Sequence, residues 1–183
     1  IEDNRFYEHG GIDYRGTLRA LVTNITGGDV QGGSTITQQL AKNAFLTQEQ
    51  TISRKAREFF LALEINKKYS KQEILTMYLN NAYFGNGVWG VEDASQKYFG
   101  ISASDLTIEQ SAVLAGMLKG PEIYNPYYSL ENAINRRDTV LQNMVNAGYI
   151  DQATADAGFQ VDLASQLADT YTGKQDNYSY PSY

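Results

Sequence analysis

Apolar residues that recur at helical spacing between glycine stops constrain this chain more than any other feature. From Leu130 to Ala147 the pattern runs unbroken until Gly148 ends it, which predicts a long amphipathic helix closed by a residue free to turn left-handed. Leu18, Leu21, Val22 and Ile25 repeat the spacing up to Gly27 and Gly28, and Ile1, Phe6 and His9 follow it loosely before Gly10 and Gly11. Ser34 or Thr35 can cap another helix, with Thr35, Gln39 and Lys42 on one polar face, Ile36 and Leu40 on an apolar one, and Asn43 beside Lys42. Thr47 with Gln50 forms a capping box for a helix carrying Arg54, Lys55, Glu58, Phe59, Leu63 and Ile65. Ser70 with Glu73 and Thr107 with Gln110 open two more. Gly85, Gly87 and Gly90 make a turn before helices resume near Val91. The expectation is a mainly α domain with no internal repeat.

At 183 residues with 42% hydrophobic content, the chain can bury one core without disulfides or metals, and it contains no cysteine. A net charge of -6 excludes a general nucleic-acid binder, whose phosphate contacts need a basic face. Any anionic ligand must be held by a local cluster of cations. No apolar run approaches the roughly 20 residues that span a bilayer. Because Ile1 to Phe6 already reads as structured sequence, the chain looks like an excised piece, which leaves room for an upstream anchor. After Asp162 the apolar period fades, and Thr170 to Tyr183, rich in Tyr, Ser, Gly and Asn, reads as a linker. The expected division is a domain over residues 1–165 and a linker over 166–183.

A carboxylate can take a proton from a sugar hydroxyl when it is within hydrogen-bond reach and shielded from water; Glu2, Asp3, Glu8 and Glu58 are the candidates. Each has a plainer reading. Glu2 can serve a helix dipole, and Glu58 can pair with Arg54 and Lys55, four and three residues before it. Lys42, Arg54 and Lys55, with Gln39 and Asn43, are equipped to hold a diphosphate by charge-assisted bonds, or else form a solvated face. His9 is the only histidine, which excludes a multi-histidine metal site; its expected role is a structural hydrogen bond closing the first helix. Trp89 and the tyrosines could stack on sugars or fill the core.

Together, Glu2-Asp3-Asn4-Arg5-Phe6-Tyr7-Glu8-His9-Gly10 and Gln31-Gly32-Gly33-Ser34-Thr35-Ile36-Thr37-Gln38-Gln39-Leu40-Ala41-Lys42-Asn43 resemble the first two motifs of peptidoglycan glycosyltransferases. Arg54-Lys55-Ala56-Arg57-Glu58 resembles the third. Tyr69-Ser70-Lys71 through Tyr83-Phe84-Gly85 resembles the fourth, and Arg136-Arg137 with Val140, Leu141 and Met144 the fifth. All five stand in the family's order, and the tail looks like the start of a connection to a penicillin-binding transpeptidase domain, as in class A penicillin-binding proteins.

The resemblance implies a lysozyme-like helical lobe beside a smaller, membrane-facing jaw, to which Leu21, Val22, Phe45 and Leu46 would belong, although periodicity alone also allows them to be core. It implies a domain on the extracytoplasmic face of the cell membrane, anchored by an upstream transmembrane helix. The donor would be a growing glycan chain on undecaprenyl diphosphate and the acceptor lipid II. Glu2 would be the base, and the new β-1,4 bond would form with inversion. Glu58, Lys42, Arg54 and Lys55 would stabilise the departing diphosphate, while Thr35, Gln39 and Asn43 position the substrates. No cofactor is obligatory; a divalent cation, Mg or Mn, is the optional helper, with Glu58 its candidate ligand. The phosphoglycolipid moenomycin is the expected inhibitor. A lysozyme-like hydrolase and a non-catalytic precursor-binding scaffold are the competing readings.

Overall fold

A computed structural model describes residues 2–25, 32–45 and 52–168, without the side chains of Leu21, Val22, Asn24, Ile25, Phe45 and Ile52. The elements in chain order are α1 (Tyr14–Ile25), α2 (Ile36–Phe45), α3 (Ile52–Lys68), α4 (Lys71–Asn81), α5 (Val91–Phe99), a 3-10 turn (Ala103–Asp105), α6 (Ile108–Met117), α7 (Leu130–Asn146), α8 (Gln152–Phe159) and α9 (Leu163–Gln166). No strand occurs among the described residues; Tyr83 and Trp89 form an isolated antiparallel bridge. No helix among them is long and apolar enough to cross a membrane. The mainly α expectation holds. The chain divides into two compact units, one comprising residues 1–83 and 89–91, the other 84–88 and 92–183.

In the first unit, side chains set the helix starts. Asp13 caps α1, its Oδ1 accepting from the Gly16 amide at 2.8 Å and from Arg5 Nη2 at 2.6 Å. Thr35 caps α2. Its Oγ1 accepts from the Gln38 amide at 3.1 Å, and Gln38 Oε1 accepts from the Thr35 amide at 2.8 Å, a reciprocal box that the sequence reading took only as far as the cap. The Ser70–Glu73 box opens α4 as expected. The Thr47–Gln50 box lies outside the described residues. α2 packs against both α3 and α4, burying Ile36, Leu40, Ala41, Ala62, Ile65, Ile74 and Tyr78.

The first segment differs from expectation. Residues 4–8 form turns with i+3 bonds, Phe6 N to Asp3 O and Glu8 N to Arg5 O, instead of a helix ending at His9. Asp3 and His9 are tied to each other, which bends the segment back on itself. Gly11 then turns at φ +92°, and a Cβ there would lie 2.7 Å from the Ala62 carbonyl oxygen, so only glycine fits against α3.

The second unit is centred on α6 and α7, with α8 against α7. Ala112, Val140, Leu141 and Ala155 form its core, with Ile108, Met144 and Phe159 packed around them. Thr107 caps α6 through the expected box, and Gly148 follows α7 at φ +77°. Arg137 is 1% exposed. Its guanidinium donates to the carbonyls of Val161 at 2.8 Å and Phe159 at 3.1 Å and to Asp138 Oδ1 at 2.8 Å, clamping the end of α8 to α7. Residues 169–183, most of the expected linker, lie outside the described residues, as do Leu46 and the side chains of Leu21, Val22 and Phe45.

Candidate active site

The first unit brings Glu2 and Thr35 to one hollow at the start of α2, with Lys55 and Glu58 linked to its rim through Ser34. Glu2, Asp3, Asn4, Asp13, Arg19, Ser34 and Thr35, with the backbone of Gly32 and Gly33, line one polar hollow. Glu2 is part-exposed on its wall. Its neighbour Asp3 holds it there: the Asp3 carboxylate takes His9 Nε2 at 2.9 and 3.0 Å, and its Oδ2 accepts from the Ile36 amide at 3.1 Å, the first residue of α2. The side chains of His9 and Asp3 are 4% and 3% exposed, so the pair is shielded from water. Lys71, at the start of α4, donates to the His9 carbonyl at 2.7 Å and lies 4.5 Å from the centre of the Phe6 ring. Burial pulls the Lys71 ammonium below its usual range, and the nearby Asp3 charge opposes that shift.

Glu58 stands on α3, where the apolar face of that helix turns inward, and is 2% exposed. Its Oε1 pairs with the Lys55 ammonium one turn earlier, and the same ammonium donates to Ser34 Oγ at 2.9 Å. Lys55 is half exposed. One cation therefore joins a buried carboxylate to the rim of the hollow that Glu2 lines. The intrahelical pairing read from the sequence is present, but burial and the Ser34 contact set it apart from a solvated surface pair.

The other candidates divide. Gln39 is half-buried on α2, and its Oε1 accepts from the Tyr78 hydroxyl of α4 at 3.1 Å. Lys42 and Asn43 are exposed on the last turns of the same helix, and Arg54 is half-buried on α3. Thr35, 2% exposed, donates from its hydroxyl to the Gly11 carbonyl at 2.6 Å while capping α2, so that hydroxyl is occupied by backbone. Asp3 was named among the carboxylates, but its anchoring role, Lys71 and Tyr78 were not foreseen. Their partners lie 33 to 62 residues away, and only the motif order hints at them. Glu8 is exposed and lies 3.8 Å from Arg5 Nε. Of the fifth-motif arginines, Arg137 is the α7–α8 clamp and Arg136 donates to the Gly116 carbonyl.

A buried carboxylate, a carboxylate on a hollow, and cations within one helical unit can take up a proton and hold an anion. A family model described as Transglycosylase matches residues 1–145. The chain belongs to the transglycosylase family. This transglycosylase domain is 65% identical over 182 residues to penicillin-binding protein 2a of Streptococcus pneumoniae, an alignment covering 100% of this chain and 24% of that one. It is 48% identical over 156 residues to penicillin-binding protein 1A of Escherichia coli, covering 85% of this chain and 18% of the relative. A solved structure of penicillin-binding protein 1A from Haemophilus influenzae is 31% identical, with a TM-score of 0.49, covering 69% of this chain and 16% of that chain. The domain thus spans about a quarter of the length of the pneumococcal relative.

Proposed function

We propose that this transglycosylase domain polymerises lipid II into β-1,4-linked glycan, with inversion at the anomeric carbon and release of undecaprenyl diphosphate. The observation that carries the reading is the Lys55 ammonium shared between buried Glu58 and Ser34 on the rim of the Glu2 hollow. Glu2 accepts the proton of the acceptor's 4-hydroxyl as that oxygen attacks the donor's anomeric carbon. The bond from that carbon to the diphosphate oxygen breaks as the new one forms, and the leaving group departs with the electron pair. Lys55, Arg54 and Lys42 neutralise its growing charge, while Glu58 fixes Lys55 in place. Gln39 and Asn43 donate to substrate oxygens. Thr35 contributes through the α2 cap, which holds Ser34 and the backbone of Gly32 and Gly33 at the hollow.

Among the described residues no cluster of three or more acidic or histidine side chains gathers to hold a metal. The Lys55 ammonium on Glu58 would repel a dication at the same oxygen. A divalent ion, Mg or Mn, is therefore assigned to the substrate's diphosphate, arriving with it. Tyr14 and Leu18, exposed one turn apart on α1, with exposed Phe60 of α3, support a surface of this unit facing the outer leaflet of the cytoplasmic membrane. The reading places an anchor upstream and a penicillin-binding transpeptidase domain downstream in the full protein.

The test is purified domain with labelled lipid II, comparing wild type with Glu2→Gln. The amide keeps the shape but is far too weak a base, so polymer formation should fall at least about a hundredfold, within the range of a lost general base, while moenomycin still binds. Near wild-type polymerisation by Glu2→Gln would remove it as the base. Cleavage of lipid-free glycan without synthesis would turn the reading to a hydrolase.

A further inference from the structure

Within the segment that resembles the fourth motif, Tyr78 stands where two helices of the first unit meet. It is 4% exposed on α4, and its single hydroxyl proton is given to Gln39 Oε1 on α2 at 3.1 Å. The phenol does not give that proton up: burial, and secondarily the negative charge of Glu2, push its ionisation far above the usual tyrosine range. The protonated phenol keeps a hydrogen to give, and that hydrogen bond ties the Gln39 amide to α4. In the structure the Gln39 oxygen faces the Tyr78 hydroxyl, which leaves the amide nitrogen and its two N–H groups on the other side.

That orientation matters because of what shares the face. Lys42 and Asn43 follow Gln39 by three and four residues, so they lie along the same stripe of α2. With its nitrogen outward, Gln39 adds a donor beside the Lys42 ammonium; with its oxygen outward, it would present lone pairs to the same anion. We propose that Tyr78 is a positioning residue of the transferase reaction, holding the Gln39 amide so that its nitrogen faces a substrate oxygen. The inference rests on the proposed function, because it needs Gln39 to meet substrate; Tyr78 itself does not.

The experiment is a double-mutant cycle on the domain, using Tyr78→Phe, Gln39→Ala and the pair, with polymer from lipid II, moenomycin affinity and thermal melting measured for each. Tyr78→Phe keeps the ring and removes the hydroxyl. Its kcat should fall roughly tenfold, as expected for one misdirected hydrogen bond in the transition state, with KM changed less than about twofold. On the Gln39→Ala background the same exchange should cost less than about twofold, because nothing remains to orient. A purely structural Tyr78 would instead lower the melting temperature and leave kcat per folded molecule unchanged; that result, or an equal loss of kcat on both backgrounds, overturns the proposal. If Tyr78→Phe does not fold, Gln39→Glu reads the same point. The carboxylate still accepts from Tyr78 but offers no donor, so kcat should drop at least as far as in Gln39→Ala, and retained activity overturns the proposal. Wild-type domain that makes no polymer refutes the proposed function and this inference with it, whereas active wild type with an additive cycle refutes this inference alone.

Discussion

Replacing Thr35 with valine removes one hydroxyl and leaves the shape of the side chain, at a position that is 2% exposed. Two contacts go at once. The Gln38 amide loses its cap acceptor, worth about 1 kcal/mol at a helix N-terminus. The Gly11 carbonyl, which takes the Thr35 proton at 2.6 Å, is left without that donor in a buried setting, costing about 1–3 kcal/mol. The methyl that valine adds back keeps the packing, so no cavity offsets or enlarges the loss. The expected destabilisation is about 2–4 kcal/mol, and at about 2–4 °C per kcal/mol for a chain of this size the melting temperature should fall by roughly 5–15 °C. Thr35→Ser, which keeps the hydroxyl and loses one methyl, should lose only about 1 kcal/mol. Calorimetry measures the melting, and moenomycin titration well below the transition separates stability from binding. Because the hydroxyl is held by backbone, affinity at low temperature should stay within about threefold of wild type, less than the loss of a direct hydrogen bond to ligand. An unchanged melting temperature, or a tenfold loss of affinity in folded Thr35→Val, would refute the reasoning and return the hydroxyl to the substrate.

Lys55→Met strips the ammonium from buried Glu58; since Lys55 is half exposed, the cost should be about 1–2 kcal/mol, below that of a fully buried pair. Adding Glu58→Gln should recover that stability in urea unfolding, and a further loss would show that Glu58 has another role in holding the fold. Arg137→Met should cost about 2–4 kcal/mol, because the Val161 and Phe159 carbonyls lose their donor, with α8 amides exchanging faster in hydrogen-exchange measurements. Glu73 is held below its usual range by the Ser70 amide first and the Ser70 hydroxyl second. Its ionised form therefore stabilises α4 above the unfolded value of 4.5, and the benefit fades as pH falls through the lower folded value. The melting difference between wild type and Glu73→Ala should accordingly shrink from pH 7 to pH 3.

What the sequence made legible was local. The boxes at Ser70–Glu73 and Thr107–Gln110, the α2 cap, left open between Ser34 and Thr35 and found at Thr35, and the stop at Gly148 each depend on residues within one turn, and the structure has them there. The failure over residues 1–9 has the same origin in reverse. Helical spacing there was weak, and Asp3 and His9 turn to each other, with Asp3 also bound to an amide 33 positions on, which no local period encodes. Tyr78 and Lys71 were hidden because an aromatic and a lysine at helical spacing look like core and surface; only the packing of α4 beside α2 and the first segment gives them partners. Glu58 was readable as one half of an ion pair, but its burial depends on tertiary packing beyond α3's own sequence.

The Arg137 clamp bears on how active members of such a family are told from silent ones. Its buried guanidinium holds the end of α8, so in this chain that arginine of the fifth motif supports the packing of the second unit. With Glu2 as the proposed base, a descendant that had traded it for alanine could keep Arg136-Arg137 intact and be scored as an enzyme by motif count. On the proposed mechanism, the positions to inspect in genome surveys are Glu2, part-exposed on its hollow, and Lys42 and Asn43, exposed on α2.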